Sequence, residues 1–64
     1  LTTELDILDY LRSNIRDQMN EIADHLSGGG CKDFGDYQKC CGIIQGLAWA
    51  ERDLLDLRAK YEEA

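Results

Sequence analysis

Four side chains in this 64-residue sequence have the chemistry to bind a metal or attack a substrate: His25, Cys31, Cys40 and Cys41. Imidazole and thiolate are the ligands zinc prefers, but their spacing here fits no standard zinc finger or knuckle. Adjacent residues on a helix point about 100° apart, so only one of Cys40 and Cys41 can readily face a shared ion. Cys40 is also wanted elsewhere, on an apolar seam. The expectation is therefore no metal, with His25 a favourable residue at a helix C-terminus and Cys31 a loop thiol. A catalytic thiol needs a base and an enclosed pocket, and a chain with one histidine and this little mass supplies neither, so no enzyme and no cofactor is expected. Three cysteines cannot all pair within one chain, which argues against a disulfide scaffold. Asp53 and Asp56 read as part of a solvated face. Gly28-Gly29-Gly30 is not a phosphate loop, because no strand precedes it and no Gly-Lys-Ser/Thr ending follows.

The elements that position these residues follow from punctuation and periodicity. There is no proline, and the only internal break is Ser27-Gly28-Gly29-Gly30, so both flanks are free to run as long helices. Thr3 with Asp6 three residues on approaches a capping box, which starts the first helix near Thr3. Leu5, Leu8, Ile15, Met19, Ile22 and Leu26 then recur at helical spacing, with Leu1 ahead of them. Arg12 interrupts this stripe, and Leu11 is expected to fill the seam while the arginine stem reaches outward. Gly28 is expected to end the helix. Asp33 can cap the second helix, along which Cys40, Ile43, Leu47, Ala50, Leu54, Leu57 and Tyr61 fall at spacings that make a heptad seam. The pairs Arg52–Asp56, Asp56–Lys60 and Arg58–Glu62 stand at i,i+4 on that helix. The expected architecture is all-α: one domain over 1–64, an antiparallel two-helix hairpin with helices at about 3–26 and 33–62 and a Gly-rich loop at 27–32.

A chain this short buries only about 60% of the surface its unfolded form exposes, so its core is marginal. A second apolar set on the later helix, Phe34, Tyr37, Cys41, Ile44, Ala48 and Leu55, lies beside the heptad seam. One facing helix covers a stripe of only about 100°, so completion by oligomerisation or a partner protein is expected. Gly42, Gly46 and Ala50 form a row with almost no side chain, where another backbone can come close. Trp49 lies beside that row, and exposed tryptophans often anchor interfaces. The candidate interface residues are Gly42, Ile43, Gly46, Leu47, Trp49, Ala50, Leu54 and Leu57.

Charge limits the partners. Lys+Arg 7 against Asp+Glu 13 gives −6, spread over both halves, and no basic face emerges to neutralise phosphates. Nucleic acid and anionic membrane surfaces are disfavoured. No stretch approaches a membrane span, and the N-terminus lacks a signal-peptide layout, which reads as a chain assembled in the cytosol. It opens on Leu1 and not on methionine, which is compatible with trimming.

At Gly28-Gly29-Gly30-Cys31-Lys32-Asp33-Phe34, then Tyr37, Gly42, Ile44, Gly46-Leu47-Ala48 and Ala50-Glu51-Arg52-Asp53-Leu54-Leu55-Asp56-Leu57, the chain resembles short helical proteins encoded among the virion structural genes of tailed bacteriophages. The resemblance covers about half the chain. It implies no catalytic residues. It does imply a minor virion component, binding capsid, portal or head–tail proteins, assembled in the host cytoplasm. The alternative is a homodimeric four-helix-bundle regulator of RNA pairing, similar to the Rop type in size and hairpin plan alone. Such a regulator needs clustered bases, and Arg12 with Arg16 is the only close basic pair on the first helix.

Overall fold

A computed structural model describes residues 3–63 as two long helices, α1 (Glu4–Ser27) and α2 (Phe34–Glu63), packed against each other as an antiparallel hairpin. The molecule is a flat rod of 47 × 19 × 11 Å. Leu1, counted at the head of the first apolar stripe, lies outside the described residues.

Local chemistry accounts for where the helices begin and stop. Thr3 Oγ1 accepts from the Asp6 N–H at 3.1 Å, and the Thr3 N–H donates to Asp6 Oδ2 at 3.3 Å. This reciprocal capping box satisfies two groups at the helix start, and such a cap contributes about 1 kcal/mol. At the start of α2, Asp33 Oδ1 accepts from the Asp36 N–H at 2.8 Å, as the sequence predicts. The Lys32 N–H donates back to Asp36 Oδ2 at 3.2 Å.

The end of α1 is a Schellman turn. The Gly29 N–H donates to the Leu26 carbonyl at 3.3 Å and the Gly30 N–H to the His25 carbonyl at 2.9 Å. Gly28 caps the helix with an ordinary φ of −82°, and the left-handed residue is Gly29, at φ 74°. Of the three glycines, Gly29 is the one whose backbone conformation disfavours a side chain.

The face that α1 buries is the expected one: Ile15 is buried, and Leu5, Leu8, Met19, Ile22 and Leu26 are half-buried. Leu11 departs from expectation. It is exposed, and Arg12 lies over the seam in its place.

The seam of α2 is turned from the expected heptad. Cys40 and Leu54 are buried and Leu47 is half-buried, but Ile43, Ala50, Leu57 and Tyr61 are exposed. Ile44, Ala48, Glu51 and Arg58 are the residues drawn toward α1, with Glu51 only 9% exposed. The roll goes together with a set of cross-helix charges that the apolar pattern ignores. Arg16 Nη2 lies 2.7 Å from Glu51 Oε1, and Arg12 Nε lies 3.8 Å from Glu51 Oε2. At the open end Arg58 grips Asp9, Nε to Oδ1 at 2.6 Å and Nη2 to Oδ2 at 3.3 Å, and also contacts Glu62. The Arg58 hydrogen bond holds the Asp9 carboxyl below its ordinary pKa and raises that of Arg58. Of the i,i+4 pairs expected on α2, Arg58–Glu62 forms an ion pair.

Candidate interaction surface and the histidine–cysteine cluster

Helical periodicity, at 100° per residue, sorts the side chains flanking the seam onto two broad faces of the hairpin. Because the helices are antiparallel, residues displaced to the same rotational side of each stripe share a face. One face carries an open groove lined by Asp9, Arg12, Ser13, Arg16, Asp17, Leu55 and Arg58. Its three arginines stand among carboxylates, and each has an acidic partner in the hairpin. Arg12 and Arg16 share the carboxylate of Glu51, so the only close basic pair on α1 is already engaged.

The opposite face carries a set of exposed apolar side chains. Periodicity places Ile7 and Leu11 of α1 there, with Ile43, Ala50, Leu57 and Tyr61 of α2. All six are exposed, Ile43 at 41% and Leu57 at 44%. Gly42 and Gly46 follow on the outer side of α2, and a Cβ at either position would meet nothing within 4 Å. The small-residue row is therefore open space, and α1 does not pack into it. Trp49, 62% exposed, lies next to this row.

The eight residues singled out from the sequence thus divide. Leu54 and Leu47 belong to the hairpin's own core, whereas Gly42, Ile43, Gly46, Trp49, Ala50 and Leu57 remain at the surface. Ile7, Leu11 and Tyr61 extend that surface at the open end. The sequence reading missed Ile7 because the α1 stripe accounted for burial without it. It placed Leu11 and Tyr61 in the seam.

Glu51 is the polar residue at the centre of the packing. Its Oε2 is buried without a hydrogen-bond partner, while the arginine side chains that face it are about half exposed. Burying a carboxylate is expensive, and replacing a buried ion pair with an apolar residue of similar volume is often neutral or stabilising. Both arginines can return to water. Glu51→Leu is therefore expected to raise the midpoint of thermal unfolding by roughly 4–8 °C, the equivalent of about 1 kcal/mol in a domain this small. A circular-dichroism melt measures it, and a lowered midpoint would mean that the ion pairs outweigh the burial of the charge.

At the closed end the loop brings three potential ligands together. The ligand atoms of His25, Cys31 and Cys40 all lie within 4.8 Å of one another. Each comes from a different element: the last turn of α1, the loop, and the second turn of α2. His25 is exposed, Cys31 half-buried and Cys40 buried, so the cluster opens at the surface and closes on the seam. A side chain at Gly30 would run into the His25 imidazole, so the absence of one there leaves the room the ring occupies. The Cys31 thiol is pushed up in pKa, first by burial and next by the neighbouring Cys40 thiol. Cys41 is not one of these three, and its thiol beside Tyr37 pushes the tyrosine hydroxyl up in pKa. Position on the seam and position in the cluster are thus compatible for Cys40, which the sequence reading treated as alternatives.

Among the described residues no helix is long and apolar enough to cross a membrane. Compared with family models, curated proteins and solved structures, the chain matches none.

Proposed function

We propose that this chain is a non-catalytic interaction module whose apolar face is completed by the helices of another protein. The observation that carries this reading is the incompleteness of the core. Among the described residues no side chain is fully buried, and large apolar residues such as Ile7, Leu11, Ile43, Leu57 and Tyr61 stay exposed. The accessible surface is 4965 Å², against about 4,200 Å² for an ordinary monomer of this mass. The excess, about 800 Å², is the share one partner contributes to a standard protein interface.

The sequence resemblance supplies the setting: a minor structural or assembly component of a tailed-phage particle, binding capsid, portal or head–tail proteins. The pairing of Arg12, Arg16 and Arg58 with carboxylates favours a protein partner over RNA, since these bases offer phosphates little uncompensated charge.

The test is capture of the tagged chain from its native lysate after nuclease treatment, with quantitative mass spectrometry and an assay for retained RNA. Recovery of capsid, portal or tail proteins in fixed ratio, lost when Gly46→Leu blocks close approach at the open row, is the expected result. Recovery of the chain alone with protected RNA would replace this reading by the RNA-regulator alternative.

A further inference from the structure

We propose that His25, Cys31 and Cys40 form a structural zinc site that fastens the closed end of the hairpin. The site is independent of which partner covers the apolar face.

Geometry comes first. In a tetrahedral zinc site with Zn–S near 2.3 Å and Zn–N near 2.0–2.1 Å, neighbouring ligand atoms stand about 3.5–3.8 Å apart. The three atoms here lie within 4.8 Å of one another, so side-chain rotations closing about 1 Å would complete the arrangement. Two thiolates and one imidazole are borderline-soft donors that suit zinc and not magnesium or calcium, which take oxygen ligands. Three protein ligands leave the fourth tetrahedral position to a water molecule. On binding, the two thiols release their protons to solvent and coordinate as thiolates.

The fold gives such a site a purpose. A two-helix chain with no fully buried side chain among the described residues is short of core, and small domains commonly make up the difference with a metal. An ion held by the end of α1, the loop and the start of α2 would tie the elements whose separation opens the hairpin. Gly30 fits this role, since it leaves the space in which the imidazole sits against the loop. A Cys31–Cys40 disulfide would use two of these groups but would leave the convergence of His25 without a function.

The experiment uses the full chain, freed of metal and kept reduced with a phosphine, and titrates it with cobalt(II) and then zinc(II). One equivalent of cobalt should bind with thiolate-to-metal charge transfer and the visible bands of tetrahedral coordination, and zinc should displace it. Saturating zinc should raise the thermal midpoint by about 10 °C or more, and a chelator should reverse the rise. Changing a residue that merely orients a ligand already costs 10–100-fold in affinity, so removing a ligand outright with Cys31→Ser or His25→Asn should cost roughly 100-fold or more. Cys41→Ser, outside the cluster, should bind as the native chain does. Cys31 and His25 carry the test because they are not core residues, and far-UV circular dichroism checks that their variants stay helical. Failure of the native chain to bind cobalt or zinc, or equal binding by Cys31→Ser and the native chain, would overturn the proposal.

Discussion

Leu54→Asp unfolds the isolated hairpin. Leu54 is 7% exposed in the contact between α1 and α2, one of three buried apolar side chains among the described residues. An aspartate there would place a carboxylate among apolar neighbours with Glu51, another acid, one turn away on the same face. The cost is about 4 kcal/mol or more, from the lost leucine packing and the burial of an unpaired charge. A domain of this length has only about 3–10 kcal/mol of stability in total, and one with no fully buried side chain among its described residues belongs at the low end. Far-UV circular dichroism across a urea series should show native helicity lost or its midpoint shifted toward zero denaturant. A variant that unfolds with the native midpoint would show that this residue is not the core.

Leu57→Asp gives the opposite result, three residues further along the same helix. Under a heptad seam the two substitutions would be equivalent. In the structure Leu57 is almost half exposed, and its aspartate is free to reach water. The fold is expected to survive with a change of about 0.5 kcal/mol or less, the usual range for a surface site. Association should suffer instead. Leu57 lies on the exposed apolar face with Ile43, Ala50 and Tyr61, and a carboxylate pressed against a partner's apolar surface must be desolvated. Affinity for whichever protein covers that face should fall by 100-fold or more, on the order of 3 kcal/mol. Light scattering distinguishes self-association from binding of a captured partner. An unfolded Leu57→Asp chain would restore the heptad seam, and an unchanged affinity would move the interface away from this face.

Much of the architecture was legible because its causes are local. Thr3 with Asp6, Asp33 with Asp36, and the absence of proline mark helix ends through interactions between residues three apart, which the order of residues states directly. The α1 stripe was legible because one apolar face dominates that helix. On α2 two apolar sets compete, 40/43/47/50/54/57/61 and its neighbours at 44, 48 and 55, and periodicity alone chose the more regular one. The choice between them is made where α2 packs on the other helix, with Cys40, Leu47, Glu51 and Leu54 turned inward.

The sequence by itself determined that two long helices would form, that a glycine turn would join them and that their combined apolar surface would exceed what one hairpin can bury. These follow from hydrogen bonding within a few residues and from composition. Tertiary structure alone decided which way α2 is rolled. Asp9, Arg12 and Arg16 meet Arg58 and Glu51 across 35 to 49 residues of chain, contacts that local spacing does not encode and that accompany a roll with Glu51 on the seam and Ile43, Leu57 and Tyr61 outward. It also decided that His25, Cys31 and Cys40 converge. Their spacing follows no metal motif, and only the Schellman turn at Gly29 and Gly30, leading into the antiparallel return of α2, brings a helix end, a loop and a buried seam residue to one point.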